Sequence, residues 1–551
     1  MYVDVSTVRQ GTKSYTRFLL RESFRENGKV KHRTIANLSQ CAPQEIEAIQ
    51  LALRHKANLS ALQTMPPAIV LKQGPAFGAV YLLHEVARSL GIDQALGTTR
   101  EGQLALWQVI ARVLDQGSRL SAVRLATAHA AGEVLGVERF DEDALYANLD
   151  WLAAQQATIE ERLFAQRTPS TPRGLFLYDV TSSYLEGKHN AFGAFGYNRD
   201  KKRGKPQVVI GLLCDGSGRP LSIEVFPGNT QDTKTFASQI DKVAQRFGGG
   251  EITFVGDRGM IKTPQIQALG VEKFHYITAN TKPQIEALLK QGTLQMSLFD
   301  ESVAEITPPE GDRYVLRRNP HRAQEIAASR EDKYQTLLNA VAVSNAYLAT
   351  RRRANPTLAL EKLARRAQQL QIHPWVTLTL EQRTLRLEKN TQALAESAKL
   401  DGCYVLKTDL PPATASKELV HERYKDLALV EWAFRESKTV HLEMRPIYVR
   451  LESRTRGHAL VVMLAYLLIH ILAQRWRYLD LTVQEGLDQL ATLCLTEVHT
   501  PNQPPAYQLP IPRDSIHQLL DAAHVRLPTK IAHRSTVVTT RTKLTQRRKS
   551  K

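Results

Sequence analysis

The sequence is poor in cysteine and in acidic residues, and it lacks an apolar run long enough to span a bilayer. Its four cysteines (Cys41, Cys214, Cys403 and Cys494) stand far apart in 551 residues, with no CxxC or CxxH pair. Neither a zinc site nor a disulfide framework is supported, and a reducing cytoplasm is the expected setting. The longest apolar stretch, Ala459 to Ala473, has 15 residues and contains His470. A spanning helix needs about 20, so a buried core helix is expected, and no membrane partner. The first residues, MYVDVSTVRQGTKSY, lack an apolar segment, so no signal peptide is expected. Asp and Glu number 55 against 73 Lys and Arg, a net charge of +18. That imbalance makes a polyanion the first partner to consider, and with the membrane set aside, nucleic acid is the candidate.

What is present is globular: 43% hydrophobic and 23% charged residues, in a length that accommodates about three or four domains. Residues 1–44 alternate polar and apolar positions around Asn27-Gly28, a hairpin signal, and read as a small β-rich domain. From 45 to 166 apolar residues recur at three and four spacing, as in QLALWQVIARVLDQ (103–116) and EDALYANLDWLAAQQATIEERLF (142–164). This helical domain is a candidate for DNA-end binding, with plain helical packing as the alternative. RTPSTPRG (167–174) is a linker. After it come strand-like runs at 175–180, 206–216 and 219–228, a helix at 233–248, a strand at 251–257, a helix at 263–270 and a strand at 272–280. The order β-β-β-α-β-α-β predicts an α/β fold with a mixed five-stranded sheet, its first three strands antiparallel and the later ones parallel. Residues 281–400 interrupt the pattern, with a strand at 313–319 and long charged helices. A strand at 401–409, a helix over 417–438 and the apolar helix follow. The C-terminal segment 481–551 is Pro-rich beyond Thr500 and ends in a basic tail without an acidic residue from 529 on. That tail is a candidate for phosphate contact or simply a solvated end.

Three carboxylates stand where chemistry can gather. Asp179 ends the first strand and Asp257 the fourth; taken singly, an acid after a strand is most often a turn former. Glu431 lies in HERYKDLALVEWAFRESK (421–438). Residues seven apart differ by about 20° around a helix, so Tyr424, Glu431 and Lys438 fall on one line beside an apolar stripe of Leu427, Val430 and Phe434. On spacing alone a solvated Glu–Lys pair is the simpler reading. Carboxylates brought together repel and need a cation, and oxygen donors suit Mg²⁺ or Mn²⁺. The basic loop YNRDKKRGKPQ (197–207) offers Arg199, Lys201, Lys202, Arg203 and Lys205 to phosphates, or is a solubilising hairpin tip.

Several stretches together resemble the bacterial DDE transposases of the IS-four superfamily. They are LFLYDVTSSYLEG (175–187), QVVIGLLCDGSGRPLSIEVFPGNTQD (207–232), FVGDRGM (254–260), YKDLALVEWAFRESK (424–438), RPIYVR (445–450) and RGH (456–458), in the family's order over roughly 170–475. The resemblance implies an RNase H-like catalytic domain over 167–480, with an insertion at about 281–400 before the last catalytic helix. It also implies Asp179, Asp257 and Glu431 as a triad holding Mg²⁺ (or Mn²⁺), and Tyr424 and Lys438 near DNA phosphates. Leu427 stands where the family has arginine, a place Arg435 or Arg423 would have to fill. Trp375 in the insertion is a candidate to stack on a flipped base, or a core tryptophan. The implied activity is cleavage at transposon ends and transfer of the 3′-hydroxyl into target DNA, by a homodimer working on two DNA ends at the nucleoid. A nuclease or resolvase without strand transfer and a catalytically decayed DNA-binding protein are the alternatives.

Overall fold

The computed structural model describes all residues except 12, 57–68, 168–173, 188, 201, 203, 248–250, 310, 439–441, 446–448, 501–503, 532–536 and 540–551. The chain forms two compact units, one of Met1–Gly74 with Cys494–Pro510, the other of Pro75–Leu493 with Ile511–Pro528.

In the smaller unit, Tyr2–Gln10, Lys13–Glu26 and Lys29–Asn37 form an antiparallel sheet. Its hairpin turns at Asn27 (φ 52°) and Gly28 (φ 77°), with Glu26 opposite Lys29. Two consecutive left-handed residues match the twist of the strands they join, which is why Asn-Gly serves there. The helix Pro43–Arg54 follows, its start closed by Glu45, which accepts the Ala42 N–H at 2.9 Å.

In the larger unit the helical region includes α1 (Arg100–Leu114), α2 (Arg119–Ala128) and α3 (Glu142–Ala165). α1 is buried along almost its whole length and packs as a core helix. The central sheet begins with β1 (Leu175–Tyr184), β2 (Gln207–Asp215) and β3 (Pro220–Pro227), all antiparallel. Asp215 sets the turn between the last two: its carboxylate accepts the backbone N–H groups of Ser217 and Arg219, each at 3.0 Å. Helix α4 (Asp232–Lys242) leads to β4 (Thr253–Gly256), and α5 (Thr263–Val271) to β5 (His275–Ala279). β4 runs parallel to β1, and β5 parallel to β4.

The sheet does not stop at five strands. β6 (Ala304–Ile306), β7 (Arg313–Arg318) and β8 (Cys403–Thr408) extend it, giving the order β6-β7-β8-β5-β4-β1-β2-β3. β8 pairs antiparallel with both β5 and β7, so β6 and β7, which lie inside the stretch 281–400 expected to be an insertion, belong to the central sheet, and the interposed module begins only after Arg318. Arg318 pairs with Cys403, and the Asn319 N–H reaches the Gly402 carbonyl at 2.8 Å. Between those points stand the helices Pro320–Thr350, Pro356–Gln369 and Thr391–Ala398 and the hairpin Val376–Glu381/Thr384–Lys389, around their own apolar core.

The expected helix over 417–438 is two helices, α6 (Lys417–Lys425) and α7 (Leu427–Lys438), joined at Asp426. The apolar helix is α8 (Glu452–Arg475), which packs against α1, α3, α7 and β3. By length and composition it could cross a membrane, but its most apolar window is 83% buried by the protein's own elements, as in a core helix. On the sheet, Phe176, Tyr178, Phe236, Phe254 and Phe274 form a chain of ring contacts. Gly211, opposite Val180 on β2, makes this possible, because a Cβ there would strike the Tyr178 side chain. Of the basic tail, Val537–Thr539 pairs parallel with Arg139–Asp141, and most of the rest lies outside the described residues.

Candidate active site

The register of the sheet places two of the three carboxylates. Tyr178 of β1 pairs with Gly256 of the parallel β4. The next residues on the two strands are Asp179 and Asp257. They are therefore neighbours across strands about 4.8 Å apart. Asp179 is half-buried and Asp257 exposed.

The third carboxylate is placed by the far end of its helix. α7 packs on β1. Its last residue, Lys438, donates to the Ser182 carbonyl (2.6 Å), Asp200 Oδ1 (2.6 Å) and Thr181 Oγ1 (3.1 Å). Seven helical residues back from Lys438 is about 10 Å, and three strand residues back from Ser182 is also about 10 Å. Glu431 thus comes level with Asp179. The electrostatics agree: burial first, then the charges of Asp257 and Glu431, push the Asp179 carboxyl up to about 7, against the Val180 N–H and the Arg199 charge, which lower it. Among the described residues, no three His, Cys, Asp or Glu side chains are drawn tightly enough to hold a metal ion as they stand.

The Tyr424 hydroxyl lies 3.4 Å from Asp257 Oδ1, a long donor contact, and burial with the Asp257 charge raises its pKa. Because the helix breaks at Asp426, Tyr424 belongs to α6 and shares no single helical line with Glu431 and Lys438. Leu427, the first residue of α7, is buried. Arg435 is exposed on α7.

The basic loop is tied to acids. Arg199 forks onto both oxygens of Asp232 at 2.8 Å, which gives the Asn-Thr-Gln-Asp turn its partner. Lys205 donates to Glu186 at 3.2 Å, and the Lys202 ammonium stands 5.8 Å from the centre of the Tyr184 ring. Lys201 and Arg203 lie outside the described residues. Trp375 is 3% exposed, in the core of the inserted module beside Tyr334, so it does not offer a ring to a base. Sequence reasoning missed the anchoring of Lys438 to Asp200; the only signal was an aspartate inside an otherwise basic loop.

The mixed sheet thus carries carboxylates on adjacent parallel strands, with a third acid on a helix packed on one of them. The transposase DDE domain family matches residues 170–468, more than half of the chain, and the chain belongs to that family. The N-terminal domain of IS1634 family transposases matches residues 3–64. No curated protein matches the chain. Among solved structures, the cryo-EM structure of a piggyBac transposase synaptic complex with hairpin DNA is similar over 62% of this chain and 55% of that chain, at 8% identity and a TM-score of 0.33. A likeness at that level carries no argument about the fold.

Proposed function

We propose that this transposase cuts DNA at the ends of its element and joins the freed 3′-hydroxyl to target DNA, using Asp179, Asp257 and Glu431 on an RNase H-like sheet. The observation that carries the reading is Asp179, side by side with Asp257 in the strand register and under the charge of Glu431. The order β3-β2-β1-β4-β5, three antiparallel strands and then two parallel ones, supports the RNase H-like assignment.

The donor set fits a hard divalent cation. It is all oxygen and all anionic, and its mutual repulsion is what a cation would relieve. Bound there, Mg²⁺ or Mn²⁺ would supply Lewis acidity to the phosphodiester and ease deprotonation of the attacking hydroxyl. The protein's own residues supply position. β1 and β4 hold the two aspartates at one register, Lys438 fixes α7 along β1, and the Tyr424 hydroxyl steadies Asp257. The net charge of +18 favours DNA as the partner, and the reaction we propose takes place in a homodimer joining two DNA ends.

The test uses the full-length protein and linear DNA carrying the stretches that flank its own gene, with Mg²⁺, Mn²⁺ or EDTA. Metal-dependent breaks at matching inverted repeats, followed by joined products, are expected. Asp257→Ala and Glu431→Ala should reduce both to background while DNA binding persists. Cleavage retained by Asp257→Ala would sink the triad; breaks without joining would leave a nuclease.

A further inference from the structure

Two arginines of the helical region lie inside the larger unit with no ion pair to any described residue. Arg112, near the end of α1, is 5% exposed, and Arg119, the first residue of α2, is 4% exposed. Arg112 donates to the carbonyls of Gln116 (2.8 Å) and Gly117 (3.1 Å), while its Nε is buried without a partner. Arg119 donates to Nδ1 of His458, on α8, at 2.9 Å. Burial and the two guanidiniums hold His458 well below its usual pKa, so this histidine is a neutral acceptor. It also approaches the backbone of Glu443 and Met444.

Of the described acids nearby, Asp115 and Glu443 act on Arg112, and no described carboxylate acts on Arg119. Glu443 receives Arg445 on both oxygens, at 2.6 and 2.7 Å, and Asp115 accepts the Ser121 hydroxyl. Arg112, Arg119, Ser118, Glu443, Arg445 and His458 line one cavity of about 30 Å³. On its wall three guanidiniums face one carboxylate. An arginine does not shed its charge as readily as a buried lysine, so Arg119, buried beside Arg112 with no carboxylate of its own, is costly until an anion enters. The N-terminus of α2, ten residues long and capped by Ser118, opens on the same space and adds its dipole. The volume admits about two oxygen-sized groups. That is an edge of a tetrahedral oxyanion; a base or sugar does not fit.

We propose that this cavity is a phosphate site, taking two oxygens of a phosphate group from a DNA backbone or from free phosphate. It uses parts of the sequence that the triad leaves aside: RPIYVR supplies Arg445 and RGH supplies His458. Arg445 also donates to the Tyr184 hydroxyl at the end of β1, so a backbone phosphate held here would lie along the strand that carries Asp179. The DNA source rests on the function proposed above; the phosphate chemistry of the cavity does not.

The experiment uses full-length protein in EDTA, where no cleavage occurs, so its failure leaves the triad to its own test. Thermal unfolding is followed with inorganic phosphate against chloride at matched ionic strength, for wild type and for Arg119→Gln. DNA affinity is measured across a salt series. Phosphate should raise the wild-type midpoint more than that of Arg119→Gln. Where DNA is the source, the variant's log–log salt slope should also fall by about one. A phosphate effect lost in the variant with an unchanged slope assigns the site to free phosphate. A stabilisation equal in both proteins is a general salt effect and, with an unchanged slope, overturns the proposal. Should Arg119→Gln not fold, Arg445→Gln at the half-buried rim gives the same comparison.

Discussion

Lys29–Asn37 of the N-terminal sheet is exposed at eight of its nine positions, whereas Gln207–Asp215 of the central sheet is buried at all nine. The first sheet is held by its Asn-Gly turn, by cross-strand pairing and by surface ion pairs such as Arg33–Glu22 and Arg21–Asp4. Each such pair contributes only about 0–1 kcal/mol. The second is held by aromatic and aliphatic contact and by α8, which packs on β3. The difference teaches where fine positioning is affordable: carboxylates that must stand at one register are mounted on the strands that cannot shift without unpacking a core.

The largest test of that contrast is Phe254→Ala. Phe254 is fully buried and touches the rings of Phe176, Phe236 and Phe274. Its loss should cost about 3–5 kcal/mol, read as a lowered midpoint in denaturant unfolding of the larger unit. A loss under 1 kcal/mol would show that the central sheet is not the rigid partner. Next comes Asp179, whose carboxyl sits at about 7, above the ordinary aspartate value of about 3.9. The folded state binds that proton more tightly than the unfolded chain. Its contribution to stability is therefore full at low pH and is lost as the pH rises through 7. In EDTA, Asp179→Asn should raise the unfolding midpoint by about 2–4 °C at pH 8 and change it little at pH 4. An equal effect at both pH values would refute the electrostatic account. The smallest effect belongs to Val30→Thr in the N-terminal sheet, at a position 56% exposed. It should move stability by no more than about 0.5 kcal/mol; a larger loss would reveal a covered face.

The sequence was most readable where local chemistry decides. Asn27-Gly28 announced its turn, and the apolar run of PQVVIGLLCDG announced a strand closed by Asp-Gly, which the structure buries at every position. Asp257 does follow the end of its strand, β4, but Asp179, expected to end the first strand, stands in the middle of β1, because the pairing with β2 continues through Val180–Tyr184. Other features needed partners distant in the chain. The strand at 313–318 was visible, but its membership of the central sheet depends on β8, some way beyond an interposed module. The break at Asp426 has no glycine or proline to mark it. The meeting of Arg119 with His458 spans 339 positions, and neither residue's neighbours hint at the other.

The inserted module leaves and rejoins the sheet at one paired point, Arg318 with Cys403. In evolutionary terms that makes residues 320–401 a cassette. A chain excursion whose two ends are already hydrogen-bonded neighbours can grow, be exchanged or be cut back to a hairpin at little entropic cost, and the strand and helix that follow keep their places. The module can thus change in size without disturbing the strands that carry Asp179 and precede Asp257.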